Sequence, residues 1–154
     1  RVSAGPRGVR ALVPLWYSAL THATSALVAI TILVGIITTG SGPHAGDSGA
    51  SRNGLDSELL QHVHSWPAYA TVAATVLLLI GALRLEQPRL ARFTGILLAI
   101  EAVQVAVGLA QARLGLPEIL VGAHMVLACC LAAAMTAVVL SLREPVASAV
   151  DAEK

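Results

Sequence analysis

The sequence is poor in charged residues. Only 12% of its 154 residues are Asp, Glu, Lys or Arg, whereas soluble domains carry about a quarter. Hydrophobic residues make up 56% of the chain, so there is too little charge to form the polar coat of a soluble domain of this length. The formal net charge is +1 and no run of basic residues is present, so we expect no nucleic-acid partner.

Several chemical motifs are also missing. The chain has no Ser/His/Asp nucleophile arrangement, no phosphate-binding glycine loop placed after a strand and no Cys-x-x-Cys motif. The two cysteines, Cys129 and Cys130, are adjacent in an apolar segment, and neighbours on a helix point about 100° apart. We therefore interpret them as two small buried apolar residues that cannot readily form a disulfide with each other.

Long hydrophobic runs are what the sequence does have. A run of about 20 apolar residues can cross a bilayer, and in lipid it must be helical to satisfy its own backbone. Four such runs are present: Leu15–Thr38, Leu59–Leu83, Phe93–Gln111 and Ile119–Leu142. They predict an all-α integral membrane four-helix bundle over residues 15–142. A cytoplasmic segment, 1–14, precedes it, and a cytoplasmic tail, 143–154, follows it.

The arginines predict the orientation of the bundle. Six of them flank the termini and the middle connection: Arg7, Arg10, Arg84, Arg89, Arg92 and Arg143. The other two connections hold only Arg52 and Arg113. By the positive-inside rule, both termini and the middle connection are cytoplasmic, and the glycine-rich loop "TGSGPHAGD" lies on the outer face. Because the chain opens on "RVSAGPRGVR", with no initiator Met or signal peptide, we expect a segment of a longer membrane protein.

A weak internal repeat indicates two helical hairpins. Gly35 and Gly42-Pro43 end the first run with a spacing that Gly108 and Gly115-Leu-Pro117 repeat at the end of the third. After each of these, the chain turns and re-enters the membrane with a histidine in the first turns. This pattern is typical of two similar hairpins that pack as one bundle.

Two histidines are the strongest candidates for a site. His64 and His124 each lie about five residues into an inward-running helix, roughly 8 Å below its start. Two imidazoles at matched depth are what a bis-histidine haem iron needs, and zinc is disfavoured because no further ligands converge on them. In the alternative interpretation, each histidine only hydrogen-bonds a neighbouring helix. Small side chains below the pair could leave a slot for a porphyrin: Ala68, Thr71, Thr75 and Ala128.

Other polar residues inside the runs have weaker assignments. We interpret His62 as an interfacial residue, because it lies about 200° around the helix from His64. His22 is expected to form an interhelical hydrogen bond. Glu101, near the middle of the third run, is either a proton relay or a group bonded to a neighbouring helix. Gln104 is expected to join helices or to line a pocket, and the same holds for Gln111.

Two long stretches of the sequence resemble one known family. "VGIITTGSGPHAGD", followed by "RNGL" and "LLQHVHSW", and then "VQVAVGLAQARLGLPEILVGAH" are similar to the second half of actinobacterial haem A synthase. The resemblance spans Leu27 to Leu142. It implies a bacterial cell-membrane protein that takes part in the oxidation of a haem O methyl group to a formyl group, which yields haem A for cytochrome oxidase. It also implies that His64 and His124 ligate the iron of a haem b cofactor.

The chain departs from the family's first half. That half supplies the substrate-haem histidines, a glutamate three residues before one of them and often an outer-loop cysteine pair, whereas this chain has Gln61 at the matching position and no cysteine in its outer loops. We therefore expect the haem-binding half of an oxidoreductase without the half that oxidises haem O, and its catalytic residues are unknown. The implied partners are haem O and haem A through an N-terminal half, with haem O synthase or oxidase assembly factors.

Two outer-loop residues complete the predicted cofactor site. Arg52 is a cationic candidate for the haem propionates, together with the amides of the glycine-rich loop. His44 belongs to that loop, which we interpret as a lid over the haem edge. It is not an iron ligand, because it lies beyond the helix ends. Two alternatives stay open: a stand-alone b-type electron-transfer cytochrome, and a haem-free membrane transporter or assembly subunit.

Overall fold

Four long helices form most of the computed structural model, which describes residues 9–45 and 49–145. The helices are α1 (Leu15–Ser41), α2 (Ser57–Arg84), α3 (Pro88–Arg113) and α4 (Glu118–Leu140). Each is long and apolar enough to cross a membrane, so the all-α four-helix membrane bundle predicted from the sequence is confirmed. Predictions that concern Arg7, Asp47 and the outermost parts of both terminal segments lie outside the described residues.

Local sequence determines where the helices begin. Asp56 caps α2, because its Oδ1 accepts the backbone N–H groups of Glu58 at 2.9 Å and of Leu59 at 3.1 Å. Pro88 opens α3 at a position where the missing N–H has no helical acceptor to lose. Pro117 directly precedes α4. The helices therefore start where capping and proline chemistry favour a start.

The helices pack as two antiparallel hairpins. α1 packs chiefly on α2 and α3 chiefly on α4, while contacts of α2 with α3 and of α1 with α4 close the bundle. This arrangement agrees with the repeat seen in the sequence. The buried apolar core lies towards one end of the bundle and consists of Tyr17, Val28, Leu78, Ala82, Leu90, Leu97, Leu131, Met135, Val138 and Leu142.

A short antiparallel sheet closes the end of the bundle where the termini lie. Strand β1 (Val9–Ala11) pairs with β2 (Arg143–Pro145), with Arg10 opposite Glu144. The sequence predicted two separate polar segments here and did not predict that they pair. Exposed arginines of the α2–α3 connection lie at the same end. The basic residues of the termini and of this connection therefore share one end of the bundle, as the positive-inside rule predicts. The direction in which the bundle crosses the membrane stays a prediction.

The outer surface of the bundle is apolar. Large hydrophobic side chains project from all four helices, with exposed fractions as high as 86% at Leu15 and 82% at Ile119. Such a surface requires contact with a lipid bilayer. Cys129 and Cys130 belong to this surface: both are free, but they are exposed and not buried as predicted, because they lie on the side of α4 that faces away from the other helices.

Candidate functional site

The structure brings the two predicted haem ligands together. His64 on α2 and His124 on α4 face each other across the bundle, with ring centroids 6.3 Å apart and ring planes at 76°. The two residues come from different hairpins, so the site forms only when the hairpins pack. No other pair of histidines among the described residues makes a ring contact.

The ring nitrogens of this pair have no hydrogen-bond partner. Nδ1 of His64 and Nδ1 of His124 are both buried, and neither ring forms a hydrogen bond with any described residue. A backbone carbonyl of the preceding helix, Thr31 for His64 and Gln104 for His124, interacts with each ring without hydrogen-bond geometry. Since buried polar atoms are nearly always paired, these rings are available to a ligand.

Each histidine ring packs against a glycine of the other helix in its hairpin. A Cβ atom added at Gly35 would lie 2.9 Å from Cε1 of His64, and one added at Gly108 would lie 3.1 Å from Cε1 of His124. A real Cβ essentially never approaches to under 3.0 Å. The repeated glycines of the sequence therefore have a structural role: they give the two imidazoles the space that they occupy.

The half of the bundle that contains the histidines has few buried residues. The buried helical residues nearest to it are Thr31, Thr71, Glu101 and Leu131. In the described helices no residue of 32–41, 57–70, 102–113 or 118–130 is fully buried. The residues of this half are therefore less deeply buried in the protein than those of the other half.

The layer between the histidines and the buried core is polar. Thr75 donates a hydrogen bond of 2.8 Å to Oε1 of Glu101, and Thr71 shares one of 3.3 Å with a threonine hydroxyl of α1. Glu101 is thus bonded to a neighbouring helix, which is one of the two roles predicted for it. The prediction that Thr71 and Thr75 line an open slot is wrong, because both are buried between helices; Ala68 and Ala128 are partly buried.

Gln104 supports the backbone of one predicted ligand. Its Nε2 donates to the carbonyl of His124 at 3.1 Å, so it joins α3 to α4 as expected. The Oε1 atom of Gln104 and that of Gln111 are buried and have no partner. The α3 helix therefore fixes the position of His124 and leaves polar atoms free inside the bundle.

His44 connects the loop after α1 to the loop between α3 and α4. Its Nε2 lies 2.6 Å from the carbonyl oxygen of Leu116, and since a carbonyl only accepts, Nε2 is the donor. Leu116 and its neighbour Gly115 have positive φ values of 60° and 75°, which turn this carbonyl back towards His44. His44 is therefore a link between hairpins at the histidine end of the bundle. No sequence signal distinguished this role.

Arg52 is exposed and unpaired among the described residues. The adjacent Asn53 holds this segment against the end of α1, because its side chain donates to the carbonyl of Ile37 at 2.8 Å and its backbone N–H to Gly40 at 3.1 Å. Arg52 is thus carried on an anchored segment at the histidine end of the bundle, and its guanidinium is free to bind an anion.

The remaining histidines do not join the site. His62 is exposed near the start of α2, in agreement with an interfacial position. His22 is exposed on α1 and forms no hydrogen bond with a described residue, so the prediction of an interhelical bond is wrong. It lies on the side of α1 that faces away from the neighbouring helices.

The fold and the site together define a multi-pass all-α membrane protein with a pair of interior histidines. Within the described residues, no group of three or more His, Cys, Asp or Glu side chains could hold a metal ion. The chain matches no family model, no curated protein and no solved structure. Its function must therefore be argued from the site.

Proposed function

We propose that this protein binds haem b between His64 and His124, as the haem-binding half of a haem A synthase. The ring separation carries the proposal. Imidazole nitrogens bind a metal at about 2.0–2.1 Å, so two rings that hold one ion between them must stand several ångströms apart. The separation in the structure is 6.3 Å.

The donor set also suits haem better than a bare metal ion. A porphyrin supplies four nitrogens to its iron, so two protein ligands complete the coordination, whereas structural zinc requires four. Nδ1 of each ring has no hydrogen-bond partner, and the helical residues around the two rings are only partly buried or exposed. Both properties favour a flat, largely apolar group held from two sides.

Each nearby residue has a role in this proposal. His64 and His124 hold the iron, and Gly35 and Gly108 let the imidazoles approach the neighbouring helices. Arg52 attracts a propionate at the outer end. The bound group supplies one-electron transfer, and its ligands and low-dielectric surroundings set the reduction potential.

The assignment to haem A synthase rests on the resemblance together with the histidine geometry. In the proposed enzyme, this half receives electrons while an N-terminal half oxidises the haem O methyl group. Gln61 supports this division of labour: its Nε2 donates to Ser57 within α2 at 3.3 Å, and an amide cannot serve as the carboxylate found at the matching place in the first half. The proposal places the protein in a bacterial cell membrane, with haem O synthase or oxidase assembly factors as partners.

Absorption spectroscopy tests the haem site. Protein purified in detergent from haem-replete cells should show a Soret band, and dithionite should sharpen its visible bands. His64→Ala and His124→Ala should each abolish or shift these bands, while His62→Ala serves as the matched control because this neighbouring histidine is exposed. A wild-type protein without a Soret band, or bands unchanged in both variants, would refute the site and favour a haem-free transporter or assembly subunit.

A complementation assay tests the assignment to an enzyme. The chain is expressed in bacteria that accumulate haem O, and extracted haems are separated by chromatography. Alone, the chain should yield no haem A. Together with the N-terminal half of a haem A synthase it should yield haem A, and His124→Ala should prevent this. If haem b binds but no haem A forms with the partner half, the stand-alone cytochrome becomes the better assignment.

A further inference from the structure

One face of α3 carries a column of buried oxygens without hydrogen-bond partners. They are Thr94 Oγ1, Glu101 Oε2, Gln104 Oε1 and Gln111 Oε1. Their spacings of seven, three and seven residues keep them within about a third of the helix circumference. Seventeen residues at 1.5 Å each span about 26 Å, close to the thickness of a bilayer core.

Unpaired polar atoms in such a position indicate water. Buried oxygens in folded proteins nearly always have a partner, and ordered water supplies it where the protein does not. Seven residues separate the first two atoms and also the last two, about 10 Å along α3, so each atom can accept a hydrogen bond from a water molecule of its own. The set begins at Thr94, beside Tyr17, and Gln104 is bonded to the backbone carbonyl of His124.

Glu101 is the ionisable group on this column. It is 3% exposed and is the only Asp, Glu, Lys or Arg among the described residues that is buried. Oε1 accepts from Thr75, while Oε2 is free to bind a proton or a water. The titratable groups of α1, α2 and α4 that are not exposed are His64, His124 and Tyr17. The other titratable groups on α1, α2 and α4 are exposed: His22, Glu58, His62, Tyr69, Arg84, Glu118, Cys129 and Cys130.

We propose that Glu101 is a proton-binding site in the interior of the bundle, and that it takes up one proton when the site between His64 and His124 is reduced. The inference rests on the proposed haem function. A haem held by His64 and His124 would supply a one-electron centre that is more positive when oxidised, and Glu101, one helical turn from Gln104, would balance that charge as a carboxylate. On reduction, Glu101 would bind a proton instead. One electron then comes from an external one-electron donor and one proton from the aqueous phase, so the interior charge is unchanged.

The reduction potential measured against pH tests the link. In the wild-type protein the midpoint should fall as pH rises, by up to about 59 mV for each tenfold decrease in proton concentration. Glu101→Gln keeps the size and the hydrogen bond from Thr75 but cannot titrate, so its midpoint should be flat over the same range. Glu86→Gln is the matched control, because Glu86 is exposed in the α2–α3 connection, and it should behave as wild type.

Redox-difference infrared spectroscopy provides a second readout. Reduction of the wild-type protein should produce the C=O stretch of a protonated carboxyl group, which shifts in D₂O because water reaches the group. The band should be absent in Glu101→Gln and present in Glu86→Gln.

The outcomes separate this inference from the proposed function. A missing Soret band refutes both. A normal Soret band with a midpoint that does not change with pH refutes only the proton link. If Glu101→Gln keeps the wild-type pH dependence or the infrared band, the proton binds to another group, such as a propionate, and the assignment to Glu101 is wrong.

Discussion

A methyl group at position 35 should disturb the site directly. In Gly35→Ala, the new Cβ would stand 2.9 Å from Cε1 of His64, whereas ordinary van der Waals contact begins at 3.4 Å, a shortfall of about 0.5 Å. The histidine is held by α2 and the glycine by α1, so the ring or one of the helices must move. Overpacking of this kind costs about 1–3 kcal/mol. Because the ring itself is displaced, we expect much of that cost to appear in ligand binding.

The expected loss can be measured as haem affinity. Since 1.4 kcal/mol is a factor of ten in a dissociation constant, the range corresponds to a loss of about 5- to 150-fold. The assay is titration of apoprotein in detergent with haemin, followed by Soret absorbance. Gly108→Ala should have the same effect with a smaller magnitude, because its Cβ would lie 3.1 Å from Cε1 of His124.

The matched control is Gly122→Ala. This glycine lies on the same helix as His124, two residues away, but an added Cβ would meet nothing within 4 Å. The substitution should leave haem affinity unchanged and should strengthen α4 slightly, since alanine favours a helix over glycine by about 0.5–1 kcal/mol. If Gly35→Ala and Gly122→Ala bind haemin equally well, the close contact does not position His64, and the reasoning from the glycine repeat fails.

Three further substitutions test the supports around the site. Asp56→Ala removes the cap of α2 and should lower the free energy of unfolding by about 0.5–2 kcal/mol, measured by thermal denaturation in detergent, with Asp56→Asn retaining most of the stability. His44→Phe removes the hydrogen bond to Leu116, worth about 1 kcal/mol, and should speed proteolysis of the loop between α1 and α2. An unchanged cleavage rate would contradict the link. Asn53→Ala should speed the same cleavage, because the loop loses its anchor on α1.

The sequence predicted the helices well because the bilayer imposes a strong rule. Seven of the eight predicted ends lie within three residues of a helix end, and the exception is Phe93, five residues after the start of α3 at Pro88. The histidine pair follows from the positions of the two residues in α2 and α4. The pairing of β1 with β2 could not be predicted, because the two strands are only three residues long, far apart in sequence and brought together by the closed bundle. Long-range contacts of this kind leave no local periodicity.

Side-chain direction was the main source of error. His22 was assigned to an interhelical hydrogen bond, and Cys129 and Cys130 were predicted to be buried as small apolar residues. All three project outwards. In a soluble helix, a polar residue marks the exposed face, but here both faces are apolar and the periodicity carries little information. The link from His44 to Leu116 was missed for a different reason: it depends on a carbonyl turned by two residues with positive φ.

The uneven packing of the bundle is itself an argument for a ligand. Helices in lipid associate through close packing, because the surrounding chains are as apolar as their side chains. The end that holds the termini has a packed core, whereas the histidine end is held by loop bonds and by a few contacts such as that of Gly35 with His64. A group bound between the histidines would supply the missing contacts and stabilise the folded state in proportion to its affinity. The histidine end should therefore open first when that group is absent, and close when it binds.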